Sequence, residues 1–249
     1  VVHPRREPTP WRERLAGRSD VAEHEAKRVL SDWGIAATRE RLATSRDEAV
    51  RFAESLGFPV VLKVQSPAIP HKTEAGGVRI GLRSTAEVAA AYDEILANAR
   101  RHAPEAHLEG VLVQEMVTGG AEVILGVSND PLFGPAIMFG LGGIFTEVLK
   151  DVTFRLAPVS REEARRMVRE IRAFPILDGA RGKPPADVDA LADAIVALST
   201  LALDLDDVVA ELDINPLFVF PRGQGVKAGD ALIRTTSGAG LRLASRMRR

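Results

Sequence analysis

Apolar positions along the chain fall into two alternating rhythms, one of helical spacing and one of strand-like runs, and their order predicts the elements. Val21, Ala22, Ala26, Val29, Leu30 and Trp33 follow a helical period, opened by Asp20 and ended by Gly34. A short strand is expected near residues 37–42. Ser45-x-x-Glu48 then reads as a capping box, followed by a helix with Ala49, Phe52, Ala53 and Leu56 on one face. Two strand signals, Pro59 to Val64 and Val78 to Leu82, flank a loop. Ser84-x-x-Glu87 caps a helix striped by Val88, Ala91, Tyr92, Ile95, Leu96 and Ala99, which completes a compact α/β unit.

A second sheet is expected from Gly110 onward: a strand to Val117, a hinge or tight turn at Gly119-Gly120, and an antiparallel partner from Ala121 to Val127. Strands follow at Pro135 to Phe139 and Asp151 to Pro158. Helices are expected after Ser160-x-x-Glu163 and from Leu191 to Leu203, and strands from Val208 to Ile214, Leu217 to Phe220 and around Val226 to Ile233. The expected organisation is a loose extension over 1–18, a first lobe over 19–108, a second over 109–234 and a basic tail over 235–249.

Composition narrows the field. Of 249 residues, 45% are hydrophobic and 27% charged, ordinary for a soluble globular chain able to bury a sizeable core. The net charge of −1, with both signs interspersed, argues against nucleic acid or a membrane surface as the main partner. Cysteine is absent, so there is no disulfide framework, thiolate zinc site or cysteine nucleophile, and the composition suits a reducing cytoplasm. No signal-peptide core is visible, and no run approaches the roughly 20 apolar residues that span a bilayer.

Chemistry concentrates first in the loop between Val64 and Val78. Lys63 lies in an otherwise apolar strand, where an ammonium needs water or an anion, so it reads either as a phosphate ligand or as an edge-strand lysine facing solvent. His71 and Lys72 follow, then Gly76-Gly77, a pair that permits close backbone approach and suggests a flexible phosphate cover. The stretch contains neither GxxxxGK[ST] nor GxGxxG, which excludes the P-loop and Rossmann fingerprints there. Gly140, Gly142 and Gly143 are either an anion-binding backbone or a glycine-rich hairpin, and Glu147 beyond them is a candidate to orient a histidine. Asp213 and Asn215 alternate about Ile214, a spacing that puts two oxygen donors on one face of a strand.

Taken in order, VVLKVQSPAIPHKTEAGGVRIGL, LVQEMV, GVSNDPLFGP, GLGGIFTEVLKDVTFRLAPV and ELDINPL resemble the ATP-grasp subunit of the ADP-forming acyl-CoA synthetases, over about residues 20 to 234. The resemblance implies an α/β (α+β) ATP-grasp fold of two lobes, each with a mixed or antiparallel sheet and flanking helices, holding ATP or ADP with Mg2+ between two sheets. It implies Lys63 on the phosphates, the backbone from Gln114 and Glu115 to Val117 against adenine, and Glu122 at the nucleotide. By likeness to the succinyl-CoA synthetases, it places magnesium on Asn215 and Asp230, with Asp213 in reserve. It implies that His71 takes the phosphoryl group near the ATP site, while a second histidine on a CoA-binding α subunit handles the acyl phosphate. Imidazole suits that task, being a neutral nucleophile near pH 7.

The implied protein is a cytoplasmic acid–thiol ligase, active in a hetero-oligomer with its partner subunit. Two rivals stand beside it. One is a non-catalytic nucleotide-sensing ATP-grasp domain associated with a protein acyltransferase; the other is an ATP-grasp ligase joining a different acid and amine.

Overall fold

The computed structural model describes residues 10–18, 20–69, 71–142, 151–182 and 184–237, the side chains of residues 20 and 181 excepted. It divides into two compact units. The small one is residues 38–118; the large one joins residues 1–37 to 119–249.

The small unit carries strands β2 (Glu40–Ala43), β3 (Val60–Gln65), β4 (Val78–Leu82) and β5 (Gly110–Glu115), with helices α3 (Arg46–Leu56) and α4 (Thr85–His102). Its sheet runs β2-β5-β3-β4, every neighbour antiparallel. Val60, Leu62 and Val64 of β3 and Val111 and Val113 of β5 bury against Ala49, Ala53, Val88 and Ile95 of the two helices. Both predicted capping boxes form: Ser45 accepts from the Glu48 N–H and Ser84 from the Glu87 N–H, each at 3.2 Å. The Glu48 carboxylate returns a bond to the Thr44 N–H at 2.8 Å, and that bond chiefly holds its pKa below the usual carboxylate value.

The large unit contains helices α1 (Pro10–Leu15) and α2 (Glu23–Asp32) and strand β1 (Asp20–Val21), all N-terminal to the small unit. Beyond it come β6 (Ala121–Asp130), β7 (Gly134–Leu141), β8 (Val152–Leu156), α5 (Arg161–Glu170), α6 (Phe174–Leu177) and α7 (Val188–Asp204). Strands β9 (Val209–Val219), β10 (Val226–Ala228) and β11 (Ala231–Thr235) close the unit. The sheet order is β1-β11-β9-β6-β7-β8, with β10 also on β9. Helices α5 and α7 cover one face, packing Ala164, Met167, Leu191 and Leu198 on Leu125, Ile137, Phe139 and Leu212. Ser160 caps α5 as expected, but Glu163 binds Arg155 instead of returning to the cap.

Four expectations differ from this architecture. Residues 10–18 are packed, not loose: Trp11 and Leu15 are buried, the Trp11 Nε1–H donates to Asp32 at 2.6 Å, and Arg12 donates to the Asp204 carbonyl at 2.7 Å. The α2 helix starts at Glu23, because Asp20 and Val21 pair with Arg234 and Ile233 of β11. β5 and β6 are not a hairpin; β5 pairs with β2 and β3, so the division falls at 37/38 and 118/119 instead of 108/109. Finally, β9 runs unbroken through Asn215-Pro216, where separate strands were expected.

Candidate functional site

In the small unit the strand that carries Lys63 is buried on both faces. Val61, Lys63 and Gln65 point away from the helix-packed core and are 7%, 8% and 0% exposed. Lys63 is therefore not an edge lysine in solvent: Leu112 and Val78 flank it on the neighbouring strands. Gln65, which sequence reasoning passed over, has a buried Oε1 with no hydrogen-bond partner among the described residues, while its Nε2 donates to the Val64 carbonyl at 3.1 Å. A buried amide oxygen left unpaired is costly and marks a place for a donor.

The segment after β3 is anchored by Ile69 and Ala75, which join the helix-packed core, and His71 is exposed upon it. Its glycines are required by packing within the unit. Gly76 has φ +62° and lies under Asn98, whose Nδ2 donates to its carbonyl at 3.1 Å. A Cβ at Gly77 would stand 2.5 Å from Val64 Cγ1. Gly77 also ties the loop to the strand, accepting from the Val64 N–H and donating to the Lys72 carbonyl, both at 2.8 Å.

At the far end of β3, Gln114 is buried between Val61 and Glu40. The Glu115 carboxylate is engaged: Arg39 donates its N–H to Oε1 at 2.9 Å and its Nε–H to Oε2 at 2.7 Å. Val117, just past the end of β5, is half-buried.

In the large unit the candidate residues lie on the sheet face that the helices leave uncovered. Strand register arranges them in rows. Lys227, Phe218 and Glu122 are partners across β10, β9 and β6; Leu232, Asp213, Gly126, Met138 and Phe154 run across five strands; Arg234, Glu211 and Ser128 form the next row. Glu122 is exposed, and its carbonyl accepts the Gly142 N–H at 2.8 Å. The glycines at 140 and 142 are sterically obliged, since a Cβ there would lie 2.8 Å from Val152 Cγ1 and 3.0 Å from the Glu122 oxygen, respectively. Gly143, Glu147 and Lys150 lie outside the described residues.

Asp213 is half-buried, and among the described residues its carboxylate makes no hydrogen bond or ion pair. Burial raises its pKa, the neighbouring Glu211 charge adds to the shift, and Arg234 opposes it. Glu211 is held by Arg234 at 2.7 Å, and Gly126 leaves the space beside Asp213 open, since a Cβ there would come 3.3 Å from Oδ1. Asn215 sits in a β-bulge: Ile214 pairs with Leu125 and Leu217 with Val123, so β9 carries one more residue than β6 between them. The bulge exposes the Asn215 side chain, while its N–H donates to the Asp230 carbonyl at 3.3 Å. Alternation from Asp213 thus continues to Asn215 but breaks immediately after it.

These groups fit a hard divalent cation. A desolvated carboxylate without a donor, beside a second negative charge, is relieved by one, and magnesium takes few protein oxygens and keeps water and phosphate for the rest. The described residues contain no cluster of three or more His, Cys, Asp or Glu side chains that could hold a metal by themselves.

A model of the ATP-grasp domain matches residues 13–235. The acetate–CoA ligase (ADP-forming) II subunit beta of Pyrococcus furiosus is 48% identical over 217 residues, spanning 87% of this chain and 92% of that subunit. The chain belongs to the ATP-grasp family of ADP-forming acetate–CoA ligase β subunits. Among solved ATP-grasp structures, acetyl-coenzyme A synthetase 1 of Ca. Korarchaeum cryptofilum, in complex with coenzyme A, Ca-AMPCP and HgCl+, superposes with a TM-score of 0.86 at 44% identity, over 90% of this chain and 97% of that one. A selenomethionine form of that synthetase holds coenzyme A and Mg-AMPPCP, with its phosphohistidine segment pointing towards the nucleotide-binding site; it matches at 41% identity and a TM-score of 0.77, with the same coverage. No helix among the described residues of this ATP-grasp chain is long and apolar enough to cross a membrane.

Proposed function

We propose that this chain is the nucleotide-handling β subunit of an ADP-forming acyl-CoA synthetase, moving a phosphoryl group between ATP or ADP and an acyl phosphate through His71. The net reaction is acyl-CoA + ADP + phosphate to acid + ATP + CoA, in either direction. The observation that carries this reading is the near end-to-end correspondence with a β subunit, 92% of whose length the chain covers.

Within the reading, Lys63 meets the nucleotide phosphates, and desolvation strengthens its hold on them. The main chain around Gln114 and Val117 meets the base, and Glu122 lies at the nucleotide. Asn215, with Asp230 or Asp213, holds Mg2+, which supplies charge neutralisation to the phosphates when bound. His71 presents an imidazole nitrogen lone pair to the γ-phosphorus: the N–P bond forms, the bond to the ADP oxygen breaks, and ADP leaves with its charge screened. The exposure of His71 on a segment anchored at Ile69 and Ala75 supports a carrier that moves while its base stays fixed. The β-subunit relatives imply a partner α subunit. We assign to that partner the CoA site and a second histidine, and to the complex a cytoplasmic setting.

The test is co-expression with the CoA-binding partner subunit and an assay of ATP formation from a panel of acyl-CoA substrates. The purified chain alone is expected to bind ATP with magnesium and to form no thioester. Thioester formation by the single chain would overturn the division of labour.

A further inference from the structure

We propose that Arg39 and Glu115 are a positioning pair that fixes the main chain of residues 115–117 for the nucleotide base, and that the Glu115 carboxylate acts through Arg39 without touching the nucleotide. The inference rests on the functional reading above and assigns residues within it.

Three hydrogen bonds join the two residues in a closed ring. The Arg39 N–H reaches Oε1 at 2.9 Å, its Nε–H reaches Oε2 at 2.7 Å, and the Glu115 N–H returns to the Arg39 carbonyl at 2.9 Å. Arg39 also donates Nη2 to the carbonyl of Leu56 at 3.3 Å, where a cation favours the C-terminal end of α3. On the other side, the Met116 N–H donates to the Pro59 carbonyl at 3.2 Å. The backbone at 115–116 is thus held from α3 and β2 on one side and from the start of β3 on the other.

Both oxygens of Glu115 are engaged in this ring, and its side chain is only 13% exposed. A purine edge needs donors and acceptors in alternation, and the carboxylate carries no donor, while both its oxygens already accept from Arg39. The main chain does. Among the described residues the Val117 N–H makes no hydrogen bond, directly beyond the clamped stretch. The Arg39 side chain is 64% exposed, so as an ion pair the contact contributes little to stability. Its value is geometric. A guanidinium bonds to one partner and reaches a second carbonyl at a fixed angle, which a lysine cannot do. The placement fits that value, because the chain enters the small unit at Thr38 and leaves it at Thr118, adjacent to the pair at both crossings.

The experiment compares Mg-ATP with inorganic tripolyphosphate, which has the phosphates and lacks the base, by calorimetry on the full chain. Arg39→Ala should weaken ATP about tenfold, the weight of one well-placed hydrogen bond, and leave tripolyphosphate unchanged. Its melting temperature should stay within about 2 °C of wild type. Arg39→Lys should not restore ATP binding, and Glu115→Gln, which keeps an acceptor for the Arg39 N–H, should lose about threefold. Wild-type ATP affinity in Arg39→Ala with a loss confined to Glu115→Gln would overturn the proposal in favour of direct contact. Parallel loss of both ligands with a lowered melting point would overturn it in favour of plain structure. Absence of Mg-ATP binding by the wild-type chain would overturn the functional reading along with it.

Discussion

The two sheets solve opposite problems. In the small unit β3 is covered on both faces, and its one lysine sits among Leu112, Val78 and Val61 with 8% exposure. In the large unit one sheet face stays uncovered and gathers Glu122, Glu211, Asp213 and Arg234 on strands whose other side is mostly apolar. In the large unit, a half-buried carboxylate that makes no hydrogen bond or ion pair among the described residues is expensive until a cation meets it. The difference teaches where to look for function. In a doubly covered strand the signal is any charge at all; on an open face it is a carboxylate that lacks a donor.

The sharpest way to break this comparison is at His71, which belongs to the small unit but is exposed. His71→Asn should abolish net turnover with the partner subunit and leave ATP affinity within a few-fold, since one neutral hydrogen bond is worth about 0.5–1.5 kcal/mol. Acid-labile, base-stable phosphate on the wild-type chain after incubation with labelled ATP is the direct readout; full turnover by the variant would make His71 a replaceable contact.

Next in size is Lys63→Ala, expected to cost about 1.5–3 kcal/mol of nucleotide binding, roughly 10- to 150-fold, at every magnesium concentration. Asn215→Ala should do less and do it differently, shifting the magnesium concentration needed for half-maximal ATP binding upward by about threefold to tenfold. Titrations in which the two variants gave the same magnesium dependence would dissolve the contrast between phosphate and metal roles.

The smallest effect is on the stability of the unliganded chain. Burial holds the Asp213 carboxyl above the usual carboxylate range, so the folded chain binds that proton more tightly than the unfolded chain does. Ionisation is therefore destabilising, and stability falls as pH rises from the ordinary carboxylate value through the raised one. Asp213→Asn should raise the melting temperature at neutral pH by a few degrees at most and flatten the pH dependence in that window. A lower melting temperature at pH 7 in thermal scans would show that the carboxylate is satisfied as it stands.

Much of this was legible in the chain. Capping serines and helical stripes located α3, α4 and α5, and short apolar, β-branched runs located β3, β4 and β7, because those signals are local. What escaped was non-local. The sequence of Gly110 to Val127 reads as a hairpin through Gly119-Gly120, yet its two strands go to different sheets, a choice made by pairing with β2 and β3 and with β7 and β9. Trp11 and Leu15 sit in a proline-rich, arginine-rich stretch whose composition hides the contacts that bury them. Lys63 stood out because a charge interrupts an apolar run; Gln65 drew no notice because an amide two positions later looks like an ordinary strand end. Arg39 carried no signal, since its role depends on a carboxylate 76 residues away.

The large unit is closed by its two ends. β1 pairs with β11 through Asp20–Arg234 and Val21–Ile233, and Thr235 Oγ1 donates to the Arg18 carbonyl. During synthesis, residues 38–118 are complete and can collapse on their own contacts while the ribosome is still making the rest. The segment 10–37 lacks that option: α2, with Val29 buried, packs against β11, made more than a hundred residues later, and that apolar surface waits until the strand emerges. Nascent chains halted between residues 118 and 230 should therefore resist protease across residues 38–118 and be cut within residues 10–37.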